Sequence, residues 1–225
     1  MARRIAEGLW LLESQVSMLG MTLPCRMAIV KLAEGGLWLH SPTKLDEATR
    51  SALEEIGGPV VWRVAPNLFH HVFQGDYQAA FPESRLIAPR GLAKKRPDLK
   101  IDAVFEKAGP APFGPEIECF DVPGTPGRER VFLHKPSRSL IVTDLAFATD
   151  GSFSALGRLY GRLTGIDGRL GVPIHLRLLY RKRAAMAKAL DALLEWDFQR
   201  IVPAHGPVIE EQPKEALAKA FAFLR

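Results

Sequence analysis

The stretch Val64-Ala65-Pro66-Asn67-Leu68-Phe69-His70-His71 carries two adjacent histidines directly after the apolar run Val60–Val64. Valine and tryptophan in that run favour a β-strand. An α/β enzyme usually places its chemistry at the carboxyl ends of its strands. The histidine pair therefore marks a candidate functional site.

Two further apolar runs end in side chains that bind metals. Asp144 follows Leu140-Ile141-Val142-Thr143, and His205 follows Ile201-Val202-Pro203-Ala204. Imidazole and carboxylate groups are common ligands of zinc. Because three separate strand ends carry such groups, we predict that they assemble one metal site from distant parts of the chain.

The composition excludes several classes of protein. Of the 225 residues, 47% are hydrophobic, so a disordered chain is not expected. Cys25 and Cys119 form no CxxC pair, and we expect both to be reduced in a cytoplasmic protein. The polar pair Glu13-Ser14 interrupts the apolar residues after Gly8, which argues against a signal peptide. No apolar run reaches about 18 residues, so no membrane partner is expected.

The formal net charge is +5, from 30 basic and 25 acidic residues. Four basic side chains, Arg177, Arg181, Lys182 and Arg183, lie within seven residues of one another. We interpret this cluster first as a solvated helix face, with contacts to an anion or a nucleic acid as the alternative. Because the excess charge is small and no aromatic-basic platform is visible, a nucleic-acid partner is not favoured.

Hydrophobic patterning predicts strands interspersed with helices. Residues 130–134 and 140–143 are predicted strands, and the short segment 135–138 joins them as in a hairpin. Residues 93–115, rich in lysine, proline and glycine, predict a loop, and residues 175–196 predict the longest helix. The order favours a single α/β domain over residues 1–225, in which helices cover two packed sheets.

Four landmarks together resemble the metallo-β-lactamase fold superfamily, and within it a branch grouped as a domain of unknown function, the DUF4336 type. They are the strand before the histidine pair, the turn Pro123-Gly124-Thr125-Pro126-Gly127, the strand before Asp144, and Pro203-Ala204-His205-Gly206. The resemblance covers nearly the whole chain. It implies an αββα sandwich of two mixed sheets flanked by helices.

The chain departs from this superfamily at the first of its two metal sites. With His71 set on the last histidine of the superfamily's HxHxDH motif, Pro66 and Leu68 stand at the first two histidines and His70 at the aspartate. The turn PGTPG also lacks the histidine of the superfamily's PGHTPG. These departures imply a single-metal site, and an alignment shifted by one residue exchanges the roles of His70 and His71.

The resemblance implies that His70, His71, Asp144 and His205 hold one divalent metal, or that the metal has been lost. Zinc is the first expectation, with iron or manganese as alternatives. The implied activity is hydrolysis of a small ester, lactone or phosphoester through activated water. The alternatives are a non-catalytic protein that binds a small molecule and, less favoured, nucleic-acid processing.

The remaining candidate residues surround these ligands. The catalytic candidates are His70, which replaces the superfamily's aspartate, and Asn67, which could replace a lost ligand, act as an oxyanion donor or cap a following helix. His40 and Thr143 are candidate pocket residues, with structural packing or capping as the default for His40. Thr143 is expected either to hold the Asp144 carboxylate or to act only as a β-branched strand residue.

Overall fold

Two mixed β-sheets form the centre of the computed structural model, which describes residues 1–18, 21–105, 112–150 and 153–225. The first sheet has seven strands in chain order: β1 (Arg3–Ala6), β2 (Leu9–Met18), β3 (Met21–Lys31), β4 (Leu37–His40), β5 (Val60–Val64), β6 (Arg85–Ala88) and β7 (Ala103–Val104). Strands β1 to β4 pair antiparallel, and β4 to β7 pair parallel.

The second sheet has four strands in the order β11-β10-β9-β8. These strands are β8 (Ile117–Asp121), β9 (Arg130–His134), β10 (Ser139–Val142) and β11 (Arg200–Pro203). The β9–β10 pair is antiparallel, as expected for the predicted hairpin, whereas β10 and β11 are parallel. The carboxyl ends of β10 and β11 therefore lie side by side.

Helices cover the outer faces of both sheets. They are α1 (Glu47–Ile56), α2 (Gln74–Ala80), α3 (Leu92–Lys95), α4 (Ala155–Thr164), α5 (Arg183–Leu194) and α6 (Pro213–Ala220), with 3-10 helices at Leu176–Leu179 and Ala222–Leu224. None of the helices in the described part of the chain is both long and apolar enough to cross a membrane.

Three layers of buried side chains hold this arrangement together. Between the sheets, Trp38 and Val64 pack in one cluster with Phe132. On the outer face of the second sheet, apolar residues of β10 and β11 pack with α5 and α6. On the outer face of the first sheet, β3 and β4 pack with α1 and α2. The predicted αββα sandwich of two mixed sheets is confirmed.

Two local predictions were wrong for reasons that lie in tertiary structure. The helix predicted over residues 175–196 is broken between Leu179 and Arg183, where the backbone N–H of Arg181 donates to the Gly124 carbonyl oxygen (2.9 Å) and Lys182 adopts the left-handed conformation (φ 53°). The loop predicted over residues 93–115 contains the end of α3, and also β7, which forms by pairing with β6; residues 106–111 of this range lie outside the described residues. Such long-range contacts override local preference. That residues 1–225 form one domain stays a prediction.

Candidate metal centre

Three strand ends bring His70, Asp144 and His205 together. His70 follows β5, Asp144 follows β10 and His205 follows β11. One ligand atom from each lies within 4.8 Å of the others. His70 Nε2 is 3.2 Å from His205 Nε2 and 3.4 Å from Asp144 Oδ2, and His205 Nε2 is 3.6 Å from Asp144 Oδ1.

These separations suit a tetrahedral metal site. Bonds of about 2.0–2.2 Å from zinc to nitrogen and oxygen place neighbouring ligand atoms roughly 3.3–3.6 Å apart. The two distances to Asp144, 3.4 and 3.6 Å, fall in this range, and the distance between the imidazoles, 3.2 Å, lies just below it. Two imidazoles and one carboxylate are also a donor set that suits zinc, iron or manganese. The residues present therefore fit a divalent metal.

Hydrogen bonds on the far side of each imidazole aim its Nε2 at the centre. His205 Nδ1 lies 2.8 Å from the carbonyl oxygen of Pro24. Because a carbonyl only accepts, His205 carries its proton on Nδ1 and directs a lone pair from Nε2. His70 Nδ1 lies 2.6 Å from the Ser41 hydroxyl oxygen. Such partners fix the tautomer and the ring orientation of metal ligands.

A buried amide and a buried carboxylate hold Asp144. Asn67 donates from Nδ2 to Asp144 Oδ2 (2.8 Å) and to Glu129 Oε2 (3.3 Å). The Glu129 carboxylate accepts from the backbone N–H groups of Thr143 (2.7 Å) and Asp144 (2.8 Å). The peptide that carries Asp144 and the Asp144 side chain are thus both fixed from the protein side.

Glu129 is a site residue that sequence reasoning missed. It stands between Arg128 and Arg130, a charged run typical of a solvated turn, yet it is 1% exposed. The PGTPG turn supports it, because the Thr125 hydroxyl accepts from the backbone N–H of Glu129 (2.8 Å). No local signal distinguishes this glutamate from an exposed one.

Neighbouring charges and burial together shift the pKa values of the four buried groups of the site. Burial alone would raise the pKa of Asp144, but His70 and His205 outweigh it and lower the pKa to about 2. Burial alone would lower the pKa of His70, but Asp144 outweighs it and raises the pKa. Burial and the nearby His70 lower the pKa of His205. Burial and the charge of Asp144 raise the pKa of Glu129 to about 7.

The PGTPG turn packs against the loop that bears His70. The backbone N–H of Leu68 donates to the Gly127 carbonyl (2.9 Å). A Cβ at Gly127 would lie 2.9 Å from the Phe69 ring, so only glycine allows this close approach. The turn thus keeps its place beside the centre although it lacks the superfamily's histidine.

His71 lies away from its predicted place, whereas Asn67 acts as a cap, one of its predicted alternatives, although it caps a turn in place of a helix. His71 lies outside the group of three: its Nδ1 is 3.2 Å from Arg96 Nη1, and its carbonyl accepts from the same nitrogen. Asn67 accepts at Oδ1 from the backbone N–H groups of Phe69 (2.8 Å) and His70 (2.9 Å). Its amide is fully engaged, so Asn67 caps the turn and positions Asp144 instead of facing a substrate oxygen.

The two candidate pocket residues lie in the protein interior. His40 is 1% exposed and stacks on Trp38, so it does not line an open pocket. Burial lowers the pKa of His40 to about 3. Among the described residues, the buried Thr143 hydroxyl has no hydrogen-bond partner, whereas the backbone N–H of Thr143 donates to Glu129. The expected hold of this hydroxyl on Asp144 is absent.

A family model described as Domain of unknown function (DUF4336) matches residues 6–163, more than half of the chain. The chain belongs to this family. It is also 29% identical, over 150 residues, to the Type A flavoprotein fprA of Rhodobacter capsulatus. That match spans 58% of this chain and only 31% of the relative's length.

Solved structures share the fold along the whole chain. A metallo-β-lactamase from Pontibacter korlensis is 17% identical, with a TM-score of 0.66, and the match covers 100% of this chain and 98% of that one. The metal-soaked Flv1 flavodiiron core from Synechocystis sp. is 13% identical, with a TM-score of 0.69, and the match covers 100% and 60%. The expected metallo-β-lactamase-like fold is confirmed.

Proposed function

We propose that this protein is a metal-dependent hydrolase with a single divalent cation, which is held by His70, Asp144 and His205. Zinc is the first candidate for this cation. The observation that carries the proposal is the convergence of two imidazole Nε2 atoms and a carboxylate oxygen within 4.8 Å. His71 leaves the predicted ligand set because Arg96 contacts its Nδ1. The proposed substrate is a small ester, lactone or phosphoester.

The residues around the ligands support this reading. A divalent cation supplies Lewis acidity, which lowers the pKa of water and polarises a carbonyl or phosphoryl oxygen. Asn67 and Glu129 keep the Asp144 carboxylate in place, and its low pKa keeps it ionised at neutral pH. The side chains of the three ligands are 13–24% exposed, so a small molecule can reach them.

A second candidate function is a non-catalytic protein that binds a small molecule. Asn67, the predicted oxyanion donor, is occupied within the protein. Because His70 and not His71 joins the group, the alignment shifted by one residue applies, and Ala65 and Asn67 stand at the first two histidines of the superfamily's motif. In the described part of the chain, a single group of three metal-competent side chains is found. These observations favour a site that binds a small molecule without catalysing its hydrolysis.

Metal analysis and turnover separate the two candidates. We expect near-stoichiometric metal by elemental analysis in the wild type and in His71→Ala, and its loss in His205→Ala. His71 is the matched control because it is a neighbouring histidine outside the group. Thermal melting checks that both variants fold. The hydrolase should also turn over a nitrophenyl ester, a lactone or a nitrophenyl phosphodiester, and His205→Ala should not.

Two results would contradict the hydrolase proposal. One is wild-type protein that holds no metal even after incubation with zinc, manganese or iron. The other is turnover that His205→Ala retains. Metal binding without turnover of any of these substrates would favour the non-catalytic candidate.

A further inference from the structure

The positive charge of this protein is concentrated in one segment. Residues 154–183 contain seven arginines and lysines and one aspartate, a net charge of +6, against +5 for the whole chain. The rest of the chain is therefore net −1. This segment therefore carries the entire formal charge excess of the protein and attracts anions.

The same segment exposes most of the large apolar side chains on the surface. Nine such side chains are exposed among the described residues, and six of them lie here. They are Leu156, Leu159, Leu163, Ile174, Leu178 and Leu179, with exposed fractions from 49% to 87%. Scattered apolar residues need no explanation, but a concentration of this kind marks an interaction surface.

Helix α4 is turned so that its leucines point away from the protein. At about 100° per residue, its leucines, its arginines and its small residues form three sectors roughly 120° apart. Gly157, Gly161 and Thr164 are buried, whereas the leucines and the arginines Arg158 and Arg162 are exposed. This is the reverse of an ordinary surface helix, which buries its leucines.

The glycine side of α4 prevents the helix from turning its leucines inward. A Cβ at Gly161 would lie 2.0 Å from the Thr149 hydroxyl oxygen, and one at Gly157 would lie 3.2 Å from the Phe153 ring. Larger side chains do not fit on this side. The Tyr160 hydroxyl, 3.3 Å from His175 Nε2, links α4 to the second exposed apolar stretch.

We propose that the leucine–arginine surface, formed by these six apolar side chains with Arg158 and Arg162, binds the surface of an anionic lipid bilayer. An interfacial helix buries its apolar side chains at the acyl boundary and places arginines among the headgroups. The sequence expectation of no membrane partner rested on the lack of a spanning segment. Surface association needs no such segment, and the proposal does not depend on the proposed hydrolase activity.

Other occupants suit this surface less well. A second copy of the chain would bring two segments of net charge +6 against each other, which opposes association. A nucleic acid would meet the arginines but leave the leucines and the isoleucine without apolar partners, and Tyr160 is half-buried. An anionic bilayer matches both the charge and the apolar side chains.

Vesicle co-sedimentation tests the proposal on the full chain. We expect binding to phosphatidylcholine vesicles that contain about one third phosphatidylglycerol, and little binding to phosphatidylcholine alone. Arg158→Gln should weaken binding about fivefold, and the double variant Leu159→Gln/Leu163→Gln at least about tenfold. All three side chains changed here are exposed, and thermal melting confirms that the variants fold.

Matched controls lie outside the segment. Val72→Gln removes an apolar side chain that is 61% exposed, and Lys94→Gln/Lys188→Gln removes two exposed charges. We expect both of these variants to bind vesicles within twofold of the wild type. Failure of the wild type to bind anionic vesicles would overturn the proposal, as would equal weakening by the controls. So would a dimer that the leucine variants dissociate, or oligonucleotide binding without vesicle binding.

Discussion

Asn67 is expected to support both the fold and the metal centre, and two substitutions separate these roles. Its Oδ1 accepts from two backbone N–H groups, and its Nδ2 donates to Asp144. Asn67→Ala removes all of these bonds from a side chain that is 0% exposed. Asn67→Ser retains an oxygen that can cap the turn, but its shorter side chain lacks the Nδ2 group that donates to Asp144.

The bond energies set the expected magnitudes. Loss of a cap costs about 1–2 kcal/mol, and loss of a hydrogen bond to a charged group about 1.5–3 kcal/mol. Asn67→Ala should therefore lower the free energy of unfolding by about 3–5 kcal/mol, and Asn67→Ser by about 2 kcal/mol. Zinc affinity should fall about 10–100-fold in both variants, because each loses the amide that orients Asp144.

Urea unfolding of metal-free protein measures the first quantity, and zinc titration against a chromophoric chelator measures the second. Asp46→Ala is the control, since Asp46 caps α1 by accepting from Thr49 N (3.0 Å) away from the metal centre. It should lose stability and keep its zinc affinity. Wild-type zinc affinity in Asn67→Ser, or wild-type stability in Asn67→Ala, would refute the reasoning.

Three further outcomes test the packing around the site. Thr143→Val replaces a buried hydroxyl for which the described residues offer no hydrogen-bond partner. Urea unfolding should therefore show a free energy of unfolding about 1 kcal/mol higher than that of the wild type, with unchanged zinc affinity. A lower free energy of unfolding would reveal a partner of the hydroxyl. Burial lowers the pKa of His134 to about 4, so its neutral form stabilises the fold above the unfolded pKa of about 6.5, and this contribution disappears as pH falls toward 4. From pH 7 to pH 5, the free energy of unfolding of the wild type should therefore fall by about 2 kcal/mol more than that of His134→Gln. Equal falls in the two proteins would contradict the lowered pKa of His134. Gly161→Ala places a Cβ 2.0 Å from the Thr149 hydroxyl oxygen and should destabilise the protein by about 1–3 kcal/mol. Gly75→Ala is the control and should not destabilise it, because the new Cβ would lie 3.4 Å from Arg96 Nη2. Equal melting temperatures of the two variants would count against the close contact at Gly161.

The strand ends that carry the metal-competent groups could be read from the sequence, but the choice between adjacent histidines could not. Apolar runs before Asp144 and His205 are local patterns, and each formed the expected strand. His70 faces the centre because Asn67 Oδ1 accepts from its backbone N–H and sets the turn. His71 contacts Arg96, a residue 25 positions away. A one-residue difference in a turn reverses which side chain points inward, and sequence spacing does not resolve it.

The burial of Glu129 and the exposure of the leucines of α4 could not be predicted from local sequence, because both depend on contacts with distant parts of the chain. Glu129 has the neighbours of a solvated turn residue, yet it is buried because three N–H groups from Asn67, Thr143 and Asp144 converge on its carboxylate. A helix with a leucine stripe is expected to bury that stripe. In α4 the space beside Thr149 admits only glycine, so the leucines remain outside.

The sequence by itself determined the strands, most of the helices, the fold class and the residue types at the centre, because hydrophobic periodicity and short motifs are local properties of the chain. The tertiary structure decided which histidine of the pair joins Asp144 and His205, which carboxylate lies buried behind them, and which face of α4 meets solvent. These outcomes depend on sheet pairing, turn geometry and the space left between packed elements, which arise only when distant parts of the chain meet.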